Sequence, residues 1–172
     1  MAHLSLILGG ARSGKSARAL ELAPNAPRLF VATAEAFDDE MADRIARHKA
    51  ERGADWFLVE APLDLAPALE AGMPEDGVAV VDCLTLWLSN LMHHEREPEA
   101  ETLRLLEMLK SLPGRAVLVS NEIGMGLAPM NALGRAFRDA QGRLNQRVAA
   151  AADHVEFVAA GLPMLLKGTP PC

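Results

Sequence analysis

The chain has 172 residues, 50% of them hydrophobic and 23% charged, with 17 Lys and Arg against 23 Asp and Glu for a net charge of −6. That length suits one domain with its own core, no apolar run approaches the roughly 20 residues of a membrane span, and the acidic balance gives no general attraction to nucleic acid. Two cysteines, Cys83 and Cys172, make neither a disulfide framework nor a zinc spacing, and residues 1–8 lack the basic start and long apolar stretch of a secretion signal, so a cytoplasmic protein with a small-molecule partner is expected.

Residues 3–8 are a short β-capable run, and residues 16–23 are rich in the helix formers Ala, Leu and Glu. Between them GGARSGKS matches G-x-x-x-x-G-K-[ST]. In that pattern Gly9, Gly10 and Gly14, with Ala11, Arg12 and Ser13 among them, let backbone N–H groups curl around an anion. Lys15 reaches the β- and γ-phosphates, and the Ser16 hydroxyl is a ligand for Mg²⁺. The helix behind adds the positive end of its dipole and its unpaired N–H groups. A glycine-rich turn with an incidental lysine is the structural alternative, but both flanks agree with a phosphate-binding loop.

RLFVAT over 28–33 reads as a second strand, 38–51 as a helix with an acidic start, and WFLVE over 56–60 as a third strand. GVAVVDC over 77–83 is nearly continuous and valine-rich, the pattern of a strand covered on both faces and central in its sheet. Helices are predicted over 84–92 and 99–112, separated by the polar stretch 93–98, and RAVLVS over 115–120 supplies another strand. The loop NEIGMGLAPMN that follows contains two glycines and Pro129, and irregular segments at the ends of buried strands are where α/β proteins put function. A helix over 132–152 precedes two short apolar runs, 154–159 and 162–167, joined at Gly161 as a hairpin. Strands alternating with helices predict an α/β fold with a mostly parallel sheet and ligands beyond the carboxyl ends of its strands.

Several side chains fall on that rim. Asp82 closes VAVVD, where phosphate-loop proteins place a carboxylate for Mg²⁺; a helix cap before Leu84 is the plain alternative. Thr33, Ala34 and Glu35 end the second strand and Glu60 the third, within reach of a ribose or base, although Glu60 is equally a solvated strand end. In RIARHKAER, Met41, Ile45 and His48 recur at helical spacing while Arg44, Arg47, Lys49 and Arg52 surround His48. Two readings stand: a solvated helix countered by Asp43 and Glu51, or an anion site whose cations keep the imidazole neutral and able to attack phosphorus. Trp87 among leucines and Cys83 at a strand end read as core, and the arginines of 132–152 as mostly solvated.

Taken together, GGARSGKS, TAEAFDDEMADRIARHKAERGADWFLVE, VVDCLTLWLSN and SNEIGMGLAPMNALGRAFRDAQGRLNQRVA resemble the bifunctional adenosylcobinamide kinase/adenosylcobinamide-phosphate guanylyltransferase family over almost the whole chain. The resemblance implies a three-layer, RecA-like P-loop fold, a homotrimer and two reactions. ATP or GTP phosphorylates adenosylcobinamide; GTP then gives GMP to a histidine, matched here by His48, and adenosylcobinamide phosphate takes it up. It also implies that Gly9 to Ser16 bind the triphosphate with Mg²⁺. Thr33, Ala34 and Glu35, then Lys49, Ala50, Glu51 and Arg52, line the guanine nucleotide, completed by Glu60 and Asp82. Because His48 must reach the α-phosphate, the implied mechanism needs its helix to move or the nucleotide to bind in more than one pose. Gly53 departs from the family, where proline often follows the arginine. On the P-loop alone, a kinase with no covalent histidine and a nucleotide-dependent switch ATPase are the competing functions.

Overall fold

The computed structural model describes residues 3–23, 27–35 and 56–169, so the helix expected over 38–51 lies outside the described residues. Seven strands form one sheet: β1 (Leu4–Gly9), β2 (Arg28–Ala32), β3 (Trp56–Glu60), β4 (Val78–Asp82), β5 (Arg115–Asn121), β6 (His154–Ala159) and β7 (Leu162–Lys167), ordered β3-β2-β4-β5-β1-β6-β7. All pairings are parallel except β6 with β7, which form the expected hairpin. The described helices are α1 (Lys15–Glu21), α2 (Leu65–Gly72), α3 (Leu84–His93), α4 (Pro98–Ser111) and α5 (Ala132–Ala151).

Alternation along the inner strands sorts the core into two layers. Leu4, Leu6, Leu8, Ala79 and Val81 join one cluster with Trp87, Leu88, Leu105 and Leu144 from α3, α4 and α5. Ile7, Val78 and Val80 point the other way, against Ala19 of α1 and Phe30. β4 is buried throughout its apolar run and flanked by β2 and β5, as continuous valines require. Trp87 is 1% exposed, and its indole N–H donates to the Leu63 carbonyl at 2.8 Å, which offsets the polar cost of burying the ring.

Helix α2 had no counterpart in the sequence reading. Its run is only eight residues long and carries Pro67, which is tolerated because it falls in the first turn, where no intrahelical N–H bond is lost. Leu65 and Leu69, one turn apart, bury completely and hold it to the sheet.

One ion pair fastens the first helix to the far side of its strand. Arg18 on α1 makes a two-pronged contact with Glu156 on β6, Nε to Oε2 at 2.7 Å and Nη2 to Oε1 at 2.8 Å. Glu156 is 3% exposed, and the fully buried His154 sets Nε2 3.1 Å from its Oε1. The Arg18 hydrogen bonds hold the Glu156 carboxyl below its ordinary value of 4.5, against the opposing effect of burial. A depressed carboxyl pKa stabilises the fold above the unfolded value and loses that contribution as pH falls through the folded one. Glu156→Gln is expected to cost about 2 kcal/mol at pH 7, discounted for the partial exposure of Arg18. The deficit relative to wild type should shrink below pH 4.5; urea melts at pH 7 and pH 3.5 check both statements, and a deficit that is constant with pH contradicts them.

Candidate active site

The hand-over from β1 to α1 makes a closed loop around a lysine. Gly14 caps α1 with φ 95°, and Arg12 holds φ 55°, so the chain turns back through left-handed conformations that favour glycine. A Cβ on Gly9 would meet Ser13 Oγ at 2.4 Å and the Val158 carbonyl at 2.7 Å, and one on Gly14 would approach Gly161 Cα at 3.1 Å. Lys15 is 8% exposed and folds back to donate Nζ to the Gly10 carbonyl at 2.9 Å. A buried ammonium resting on one carbonyl, in a glycine-rich turn at the start of a helix, suits an anion.

Neighbouring strands carry the expected partners to the same rim. Parallel register aligns Ala32 with Asp82, Asp82 with Val119, and Gly9 with Asn121, so the ends of β2, β4, β5 and β1 stand side by side above the sheet. Glu60, exposed at the end of β3, continues the row opposite Ala32. The Asp82 carboxylate and Ser16 hydroxyl form no hydrogen bond or ion pair among the described residues. Hard oxygen donors of this kind, with substrate phosphates, suit Mg²⁺. Thr33 is a brace: its hydroxyl accepts from the Cys83 N–H at 2.9 Å and donates to the Cys83 carbonyl at 2.6 Å, while Asn90 Nδ2 holds its carbonyl at 2.7 Å. Ala34 and Glu35 follow, half-buried, with both Glu35 oxygens 3.2 Å from His94 Nε2. His48, Lys49, Ala50, Glu51 and Arg52 lie outside the described residues.

Cys83 is not a nucleophile at neutral pH. Burial, then the charge of Asp82, pushes its thiol up to about 11, against smaller opposing effects of the Leu86 and Thr85 backbone N–H groups and of Lys15, so it stays protonated.

A polar cluster under the rim was missed by the sequence reading. Ser120, Gln141 and Asn145 are all buried: Ser120 Oγ donates to Asn145 Oδ1 at 2.7 Å, and Gln141 Nε2 reaches both at 3.0 and 2.9 Å. Its signal was present in the sequence, since Gln141 and Asn145 interrupt the stripe of Ala140, Leu144 and Val148 that α5 buries. The hairpin tip was also missed as part of the site; the Gly161 N–H donates to the Ser13 carbonyl at 2.7 Å.

A parallel sheet whose first strand runs into an anion-cradling loop, with an acidic strand end two positions away in the sheet, defines a P-loop nucleotide-binding protein. The fold agrees: a KaiC-like protein from Pyrococcus horikoshii superposes with a TM-score of 0.52 at 16% identity, covering 90% of this chain and 70% of its own. A second protein of that organism superposes at 0.56 with 8% identity, covering 96% and 86%. Residues 5–166 match the family described as cobinamide kinase / cobinamide phosphate guanyltransferase, and the chain belongs to that family. It is 47% identical to a bifunctional adenosylcobalamin biosynthesis protein, CobP of Pseudomonas aeruginosa, over 96% of this chain and 98% of that one. It is 40% identical to CobU of Salmonella typhimurium, named likewise, over 94% and 98%.

The loop geometry makes Gly14 testable. Gly14→Ala forces a side chain into a left-handed conformation, for about 1–2 kcal/mol, and crowds the hairpin tip. GTP affinity is expected to fall at least about tenfold while the circular dichroism spectrum is retained. Unchanged affinity by calorimetry would contradict the assignment of this loop to phosphate.

Proposed function

We propose that one nucleotide site on the loop from Gly9 to Ser16 serves both reactions of the family, phosphorylation of adenosylcobinamide and guanylyl transfer to its phosphate. The observation that carries this is Lys15, buried at the start of α1 with its ammonium folded back onto the Gly10 carbonyl of the glycine-rich loop. In the first reaction the substrate hydroxyl oxygen bonds to the γ-phosphorus of ATP or GTP, the β–γ bridge breaks with its electrons leaving on the diphosphate, and the hydroxyl proton passes to solvent. In the second, a ring nitrogen of His48 bonds to the α-phosphorus of GTP and pyrophosphate leaves. The corrinoid phosphate then displaces the histidine and carries the guanylyl group away. Lys15 and the loop amides neutralise the leaving group. Mg²⁺, held by Ser16 and Asp82, would supply further charge neutralisation on the phosphates. Thr33 to Glu35, Lys49 to Arg52 and Glu60 are assigned to the guanine nucleotide, and the reactions to the cytoplasm, where both nucleotides are at hand.

The same reading makes the protein a homotrimer. Leu162, Met164, Leu165 and Leu166 are each at least half exposed on one of the two edge strands, β7, an apolar edge that a free monomer would leave open to pairing.

Two experiments test the proposal. Incubation with GTP labelled at the α- or the γ-phosphate, followed by denaturation, should leave acid-labile, alkali-stable label from the α-position only, absent in His48→Asn. No retained label, with corrinoid still phosphorylated, would leave a kinase without a covalent histidine. For assembly, Leu165→Lys is expected to shift the sedimenting species from trimer to monomer; a wild-type protein that sediments as a monomer refutes the trimer.

A further inference from the structure

Asn121 ends β5, the strand lying between β1, which delivers the phosphate loop, and β4, which delivers Asp82. It pairs in register with Gly9, and the next residue ties the strands together where the loop begins, the Glu122 N–H donating to the Gly9 carbonyl at 3.0 Å. Its backbone is pinned from both sides: its N–H donates to Thr85 Oγ1 at 2.8 Å, and its carbonyl accepts from Asn145 Nδ2 at 3.1 Å. Asn145 is itself held by Ser120 and Gln141. Burying four polar side chains costs free energy that apolar residues would have saved, so the network is worth keeping for what it positions.

What it positions is a side chain with no internal task. Asn121 Oδ1 is buried without a partner, and the amide makes no hydrogen bond among the described residues. The buried atom is the accepting end, which leaves Nδ2, the donating end, as the accessible one that can present N–H to an anion. We propose that the Asn121 amide is a direct contact to the terminal phosphate of a nucleoside triphosphate seated in the loop, with Thr85 and Asn145 as positioning residues that fix its backbone. This rests on the reading that Gly9 to Ser16 hold the triphosphate, and it adds a residue that reports whether a γ-phosphate is present.

Calorimetry with GDP and with a non-hydrolysable GTP analogue on wild type, Lys15→Ala, Asn121→Ala and Asn121→Asp separates the two claims. Because the network grips the backbone of Asn121 and not its side chain, both Asn121 variants should keep the wild-type melting temperature and GDP affinity. Asn121→Ala is expected to lose about tenfold in preference for the triphosphate over the diphosphate. Asn121→Asp, the same size with a repelling charge, should lose more. If Lys15→Ala binds both nucleotides as wild type does, the phosphate-loop reading fails; if Lys15→Ala is impaired while both Asn121 variants keep the wild-type preference, the Asn121 contact alone is overturned. Equal losses for GDP and the triphosphate analogue, or a lowered melting temperature in both Asn121 variants, would give the residue a structural role and also overturn it.

Discussion

The site depends on how the loop between β1 and α1 is held from its two flanks. A loop that runs through positive φ at Arg12 and Gly14 does not close by local preference, because left-handed backbone is costly for every residue but glycine. Two backbone hydrogen bonds close it from outside, Glu122 N–H to the Gly9 carbonyl on the β5 side and Gly161 N–H to the Ser13 carbonyl on the β6 side. The Arg18–Glu156 pair then fixes the helix that follows to β6. These ties come from segments more than a hundred residues away in the chain, so the anion cradle exists only once the sheet is complete. Preorganisation of this kind is what lets backbone amides meet developing charge without moving.

That dependence explains what could be read from the sequence. The strands were legible because continuous valines and leucines bounded by turns have few other solutions, and the hairpin because Gly161 sits between two apolar runs. The parallel alternation alone carries the loop, Asp82 and Glu60 to one rim. Helix α2 was not legible, since a proline and a terminal glycine hide an eight-residue helix whose stability comes from burying Leu65 and Leu69. Thr33 was legible as a rim residue but not as a brace, because its partner, Cys83, is distant in sequence. For His48 the residues alone favoured a solvated helix over a nucleophile; it is family resemblance, not periodicity, that makes the nucleophile the proposed reading.

The proposed single cradle for two chemistries looks at first like a conflict, since one reaction is directed at the γ-phosphorus and the other at the α-phosphorus. The conflict lies with the nucleophiles and not with the loop. In phosphoryl transfer the leaving group is the diphosphate, and in guanylyl transfer it is pyrophosphate, so the β-phosphate belongs to the leaving group both times. A buried lysine and loop amides placed at the β-phosphate, as proposed, would therefore neutralise growing charge in either direction of bond breaking. Under the proposed mechanism, selection between the reactions would fall to what approaches from outside the loop: a corrinoid hydroxyl in line with one phosphorus, or an imidazole in line with another. On that reading one loop can be shared because it acts on the one group that departs in both reactions.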